Sequence, residues 1–435
     1  MSEHIQKTVF VSPDKERQYL MVPFTVGENI ERIDIAYRYP RFDASEESGF
    51  SIARNGCTID LAIGAPNGEL IGASGSDRER VYVSPLGSSP GFKTREIEKG
   101  EWNIILGAYH VPEGGVTVVY HIELTHKERR LFKGDTHAHT VASDGCFTVQ
   151  ELADAAVAQK LDFLFVTDHN NTAQNRNLPE RSDITVMPGT EWTHYKGHAN
   201  FLGVMEPYVG RYYSENLIEA VSLMAQAQVS GALVTLNHPF CPLVPWEWGF
   251  DVPYDAVEVW NGIMSERNER AVIWWHAKLL KGERIAITGG SDFHRPGLFA
   301  SLGLPCHCMY APSRSKADIL AAIKKGRGYI SYLPEGPGVD IRAEVKDGGF
   351  ASFGDAVPSG SEVEIRFFDL RVGDEIRIIT DAETQTHRCP QGAMQFTTRA
   401  RFLAAKFLRA EVFRSYAPGL PPMRAALTNA LYFEG

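Results

Sequence analysis

The sequence predicts an α/β protein whose α/β segment is flanked by two β-rich segments. Three observations carry that reading. Between residues 129 and 334, short continuous apolar runs alternate with stretches of helical periodicity, the pattern of a parallel sheet or barrel. From residue 1 to 128, short runs alternate apolar and polar residues between Gly and Pro turns, which reads as a β-sandwich. From 335 to 435 the same β texture returns. The chain of 435 residues agrees with three domains at about 150 residues each.

In the first segment, Ile33 to Tyr37, Ile59 to Ile63, Val81 to Val83, Trp102 to Leu106 and Val116 to Ile122 read as strands. Pro66-Asn67-Gly68, Ser89-Pro90-Gly91 and Pro112 to Gly115 supply turns. The charged run Lys127 to Arg130 reads as a linker. In the middle segment, Phe163 to Val166 is a continuous apolar run suited to a strand buried on both faces. Ile184 to Met187, Asn200 to Leu202, Ala232 to Leu236, Ala256 to Val259 and Ile285 to Thr288 are similar. Thr148-x-x-Glu151 is a capping-box pattern opening a helix over Leu152 to Lys160. Ser315-x-x-Asp318 opens another that carries Ile319 and Ile323. Leu217, Val221 and Met224, and then Val272, Trp275 and Leu279, recur at helical spacing. In the last segment, Val363 to Phe367, Ile376 to Ile378, Arg409 to Phe413 and Leu431 to Phe433 read as strands.

Composition excludes several classes. At 43% hydrophobic and 23% charged residues, the chain is neither disordered nor fibrous. A net charge of −10 argues against a general nucleic-acid coat, which needs clustered Lys and Arg. No apolar stretch approaches a membrane span, and Met1 to Lys7 lacks the apolar core expected of a leader. The six cysteines form no C-x-x-C pair and are too few for a disulfide scaffold, so a reduced cytoplasmic protein is expected.

The chemistry concentrates at strand ends of the middle segment. His137-Ala138-His139 is an H-x-H pair, which on a strand places both imidazoles on one side. Asp144 follows on a Ser-Asp-Gly turn. His169 follows the Phe163 to Val166 run, and Glu191 follows Ile184 to Met187. His198 begins the strand through Phe201, and His238 follows Ala232 to Leu236. Asp292-Phe293-His294 repeats the one-sided spacing after Ile285 to Thr288. Any one of these reads most simply as a hydrogen-bonding loop group. Together they supply nine nitrogen and oxygen donors at one mouth, enough for two or three divalent ions. Donors without thiolate suit Zn, Mn or Fe.

These motifs, His137-Ala138-His139-Thr140, Ser143-Asp144-Gly145, Thr167-Asp168-His169-Asn170, Gly189-Thr190-Glu191, His198 to Gly203, Asn237-His238-Pro239 and Gly290 to His294, resemble in type and order the PHP (polymerase and histidinol phosphatase) metallohydrolases. The resemblance implies a distorted (βα)7 barrel holding two or three metal ions on those nine residues. Gly72 to Gly75, Gly91-Phe92, Gly100-Glu101-Trp102 and Leu106-Gly107 resemble the N-terminal β-domain of the CehA/McbA-like (carbaryl-hydrolase-type) branch. Asp168-His169-Asn170-Asn171 departs from the Asp-His-Asp-Thr of many PHP phosphoesterases.

The expected activity is therefore metal-dependent hydrolysis by an activated water, with a small phosphate ester as substrate. Asp168, His194 and Arg295 are candidate catalytic side chains, with Lys196 beside them. Asp135 reads either as a support for the ligands or as a turn residue. The first alternative is hydrolysis of carboxylic esters, amides or carbamates, as the branch resemblance implies. The second is a non-catalytic protein whose β-domains bind sugar or protein.

Overall fold

The computed structural model describes residues 2–41, 56–76, 78–345, 348–417 and 419–434. The chain divides into two compact units, Met1–Arg129 and Arg130–Gly435.

The first unit contains strands β1 (Ser2–Val11), β2 (Gln18–Val26), β3 (Ile30–Arg38), β4 (Thr58–Gly64), β5 (Leu70–Ser74), β6 (Arg80–Val83), β7 (Gly100–His110) and β8 (Val116–His126). They form two four-stranded antiparallel sheets, in the orders β1-β8-β3-β6 and β2-β7-β4-β5. Strict alternation explains the shared core. Val118, Tyr120 and Ile122 of one sheet and Trp102, Ile104 and Leu106 of the other lie in a single buried cluster.

The second unit opens with β9 (Arg130–Asp135), α1 (Val149–Ala158), β10 (Phe163–Phe165), β11 (Thr185–Met187), β12 (Gly189–His194), β13 (Gly197–Leu202) and α2 (Leu217–Val229). It continues with β14 (Leu233–Asn237), β15 (Ala256–Asn261), α3 (Glu266–Leu280), β16 (Ala286–Gly290), β17 (Cys306–Ala311), α4 (Lys316–Lys325) and β18 (Gly328–Ser331). Helix α1 carries the capping box between Thr148 and Glu151, and the Ser315 side chain caps α4 on Asp318 N.

The architecture is mixed α/β with much sheet and four α-helices among the described residues. Strands β9, β10 and β11 run parallel, as do β14, β15 and β16. Between the two parallel arcs lies an antiparallel hairpin. Strand β12 pairs with β13, and β13 with β14. The alternation expected from sequence is therefore interrupted where β11, β12 and β13 follow one another without helices. Isolated parallel bridges from Ala138 to Phe293 and from His169 to Glu191 link the arcs at one end.

Segment 335–435, expected as a separate β-domain, continues the sheet of the middle segment. Strand β18 pairs with Met423–Thr428, which pairs with Phe407–Arg414, which pairs with Glu375–Thr380. Side chains from α1 and from this C-terminal region share one core, including Leu152, Ala156, Ile341, Phe367 and Ala410.

Side-chain alternation then builds the site. On β14, Leu233, Thr235 and Asn237 share a face, and on β13 so do Leu202, Asn200 and His198. Leu202, Leu233, Ala256, Phe163, Phe165 and Met309 pack into an apolar cluster. The opposite ends of the same faces present His198, Asn237 and Glu258. No helix of the described residues is long and apolar enough to cross a membrane, and all six cysteines are free.

Candidate metal centre

Strand β9 ends at Asp135, so the H-x-H pair lies just past a strand rather than on one, as the sequence had implied. The backbone nevertheless stays extended through it. His139 N donates to Phe293 O at 2.9 Å and Asp292 N to His137 O at 2.9 Å. This pairing keeps both imidazoles on one side, with ring centroids 5.2 Å apart. Asp135 fastens the arrangement. Its fully buried carboxylate accepts from His137 N (3.2 Å), Ser291 N (3.0 Å) and Gly303 N (2.9 Å).

All nine residues singled out for metal binding come together. They fall into three sets whose donor atoms lie within 4.8 Å of one another: His139, Asp144, His169 and His294; His137, His139 and Asp292; and Glu191, His198 and His238. Glu191 is the hub, nearly fully buried on β12. Its Oε1 lies 3.0 Å from His198 Nδ1, 3.3 Å from His137 Nε2 and 3.5 Å from His238 Nε2. Its Oε2 lies 2.8 Å from His169 Nδ1 and 3.6 Å from His139 Nε2. Asp292 Oδ1 stands 3.1 Å from His139 Nε2 and 3.3 Å from His137 Nε2. The exposed Asp144 reaches in to His294 Nε2 at 3.2 Å and His169 Nε2 at 3.5 Å.

The second nitrogen of three imidazoles is already committed. His137 Nδ1 donates to Glu258 Oε1 (3.0 Å), His169 Nδ1 to Thr193 Oγ1 (2.6 Å) and His294 Nδ1 to the Asp292 carbonyl (2.8 Å). Such anchoring fixes the tautomer and leaves Nε2 as the ligand atom. Four buried atoms have no hydrogen-bond partner: His137 Nε2, His139 Nδ1, Glu191 Oε2 and His238 Nδ1. Buried polar atoms are rarely left so. Nitrogen and oxygen donors gathered this closely without thiolate fit divalent cations.

Burial opposes a proton on His137, but the carboxylates of Asp292, Glu191 and Glu258 outweigh it and hold the imidazole well above its ordinary pKa. His169 and His238 are raised in the same way, against burial, chiefly through Glu191. Burial leaves His139 lowered. Glu191 and Asp292 are held well below the carboxylate range because contact with His137 overcomes burial.

Backbone conformation supports the cluster. Asn170, His238 and Asp292 adopt positive φ of 47°, 29° and 54°, sparsely populated for non-glycine residues and commonest at functional sites. Gly145 is required because a Cβ there would lie 2.3 Å from His139 O.

The expected catalytic side chains lie elsewhere in the network. Asp168 is fully buried, and its carboxylate accepts from Thr140 N (2.8 Å), Thr140 Oγ1 (2.7 Å) and Ser143 Oγ (2.6 Å), so it shapes the turn carrying Asp144. His194 is outside all three sets. Its Nε2 meets Ser214 O at 2.9 Å, its Nδ1 accepts from Lys196 N at 3.1 Å, and its ring lies 4.9 Å from that of Trp248. Lys196 Nζ sits over the Trp248 ring. Arg295 is exposed and donates to Asp144 O at 3.3 Å, beside the cluster.

Sequence reasoning passed over Glu258 and Asn261 and gave Asn237 no role of its own. Asn237 Nδ2 donates to Glu191 Oε1 at 2.8 Å. Asn261 Nδ2 donates to Glu258 Oε2 at 3.0 Å and to Asp292 Oδ2 at 3.3 Å. One signal was available: Glu258 is an acid inside an otherwise apolar strand, and a buried charge requires a partner.

No family model matches the chain. A stretch of 119 residues is 31% identical to the 5'-3' exoribonuclease Rnm of Escherichia coli, covering 23% of this chain and 40% of that protein. The chain thus matches well under half the length of that relative. Among solved structures, a two-domain protein from Bacteroides vulgatus, described as containing a predicted PHP-like metal-dependent phosphoesterase, is 17% identical with a TM-score of 0.41, over 70% of this chain and 96% of that one. An amidohydrolase from Chromobacterium violaceum is 17% identical with a TM-score of 0.27, over 38% of this chain and 88% of that one.

Proposed function

We propose that the chain is a PHP-type metallohydrolase that cleaves a small phosphate ester with a metal-activated water. The observation that carries this reading is the convergence of nine nitrogen and oxygen donors in three neighbouring sets, with four of their buried atoms lacking any partner. His137, His139, Asp144, His169, Glu191, His198, His238, Asp292 and His294 would hold two or three divalent ions such as Zn, Mn or Fe. Bound ions supply a hydroxide at neutral pH and offset charge developing on the substrate.

The chain's own residues do the remaining work. Glu191 joins the sets, because its two oxygens face different histidines. Thr193 and the Asp292 carbonyl hold His169 and His294 in the ligating tautomer. Arg295, the one expected catalytic side chain left exposed beside the donors, is placed to meet an anionic substrate or leaving group. Asp168 and His194 are assigned to shaping the site, since their polar atoms are taken up by the fold. The two parallel arcs joined at His169 and Ala138 are in keeping with a distorted PHP barrel.

The 31%-identical stretch belongs to an exoribonuclease, which favours phosphoester over carbonyl chemistry and makes an RNA phosphodiester the second reading. The test is metal analysis of the purified protein, then assays with that metal restored. The panel is p-nitrophenyl phosphate, bis-p-nitrophenyl phosphate, a 5'-phosphorylated RNA oligonucleotide, and naphthyl acetate and naphthyl carbamates. Turnover of the small phosphoesters, abolished by Asp292→Asn, is expected. Turnover of the oligonucleotide alone selects the second reading. Turnover of the acetate or carbamates alone overturns both.

A further inference from the structure

We infer that Glu258 is the positioning residue of this centre: one buried carboxylate that orients members of two donor sets without belonging to either. The inference rests on the metal-centre reading above.

Glu258 sits on β15 and is 1% exposed. Its Oε1 accepts His137 Nδ1 at 3.0 Å, which turns His137 Nε2 toward Glu191 Oε1 and Asp292 Oδ1, each 3.3 Å away. Its Oε2 accepts His238 N at 3.1 Å and Asn261 Nδ2 at 3.0 Å. The same Asn261 nitrogen reaches Asp292 Oδ2 at 3.3 Å. Arg267 fixes the direction of that amide. It donates to Asn261 Oδ1 at 2.8 Å, so the NH2 side must face the carboxylates. Glu258 therefore acts on His137 and Asp292 of one set and on His238 of another.

Two further features make this a built arrangement. A Cβ at Gly290 would stand 2.5 Å from His137 Cβ and 2.8 Å from Glu258 Oε1, so the neighbouring strand carries a residue without a side chain where the pair closes. His238 is held at φ 29°, and Glu258 Oε2 binds its amide. That bond holds a conformation that β-branched or bulky residues rarely adopt.

Glu258 makes three contacts, all with donor groups: an imidazole N–H, a backbone N–H and an amide NH2. Its lone pairs are directed at protein. A carboxylate of this kind tunes the basicity and orientation of the ligand it holds, and its loss lowers metal affinity by roughly 10- to 100-fold.

The experiment compares the full chain with Glu258→Gln and Glu258→Asp, using Zn2+ as the probe. Zn2+ stoichiometry and affinity are measured by dialysis against a competing chelator. Long-range 1H–15N spectra read the tautomer of His137. For Glu258→Gln we expect unchanged stoichiometry, affinity lower by roughly 10- to 100-fold, and loss of the single Nδ1–H form of His137. Glu258→Asp, which keeps the charge but is one methylene short, should recover only part of the affinity. If Glu258→Gln fails to fold, Glu258→Asp carries the test, with a smaller loss of affinity and the same change in the His137 spectrum expected. Wild-type affinity and an unchanged His137 spectrum in the variant overturn the inference. So does the loss of one Zn2+ per chain, which would make Glu258 a ligand. A wild-type chain that binds no Zn2+ while keeping the Nδ1–H form of His137 overturns the metal-centre reading instead.

Discussion

Replacing Glu191 by Gln tests whether one carboxylate joins the donor sets. Gln keeps the shape and one acceptor but removes the charge facing five imidazoles. Breaking a buried ion pair by removing one partner costs about 3–5 kcal/mol. Because every 1.4 kcal/mol is tenfold, metal affinity should fall by roughly 140- to 3,700-fold. The metal-free protein should weaken as well. Contact with the histidines holds Glu191 below its ordinary pKa, so its charge stabilises the fold at pH values above the unfolded carboxylate, about 4.3. That stabilisation is lost as pH falls through the folded value. A loss of about 3 kcal/mol corresponds to a Tm drop of about 5 °C for a unit as large as Arg130–Gly435. Thermal scans of metal-free wild type and variant at pH 7, repeated on acidification, read the difference, which should narrow in acid. Metal titrations read the affinity. A variant that melts with wild type at pH 7 and binds as many ions as tightly refutes the hub.

Metal uptake should strengthen with pH. His137, His169 and His238 are raised above the ordinary imidazole pKa, so protons must leave before they ligate. The apparent affinity should rise about tenfold per pH unit for each proton displaced, and calorimetry in buffers of different ionisation enthalpy counts those protons; a pH-independent affinity contradicts the assignment. Asp168→Asn should lower stability by about 1–3 kcal/mol, because one of its three donors loses its acceptor, while the pH–rate profile keeps its shape. A normal Tm with a missing pH limb would make Asp168 a proton carrier after all. His194→Gln should change kcat less than tenfold, since losing a general acid costs about 10²–10⁴-fold; a hundredfold fall with intact metal content would return His194 to the chemistry.

The donors were legible because their spacing survives any detail of the backbone. H-x-H and D-x-H put side chains on one side of an extended chain whether or not it pairs as a strand, and here Ala138 and Phe293 only bridge. The capping box at Thr148 was legible for the same local reason. The hairpin β12–β13 was not. Gly189-Thr190-Glu191 reads as the end of a strand, yet Glu191 lies inside a six-residue strand paired with β13. Pairing is a long-range choice that a local pattern does not encode. Strand β1 escaped notice because Ser2 to Val11 is an edge strand whose residues are mostly exposed or half-buried, so its alternation is faint. The boundary expected at 335 has a similar origin. Alternating strands look alike whether they build their own sheet or extend one, and Met423–Thr428 extends the sheet through β18.

The catalytic side chains were harder to read because position near a ligand in sequence says little about direction in space. Asp168 immediately precedes His169, but its carboxylate turns back onto Thr140 and Ser143. Glu258 lies 34 residues before Asp292 and 121 after His137, far outside any motif window, and touches the site directly. Its place follows from charge rather than spacing. Burying three carboxylates, Glu191, Glu258 and Asp135, is tolerable only if each is met by donors, and each is. Two facts make the sets interdependent: His139 belongs to two of them, and Glu191 contacts histidines of all three. Disturbing one donor therefore shifts the protonation and orientation of the others, so ligand substitutions in this centre should combine non-additively, as groups sharing one network do.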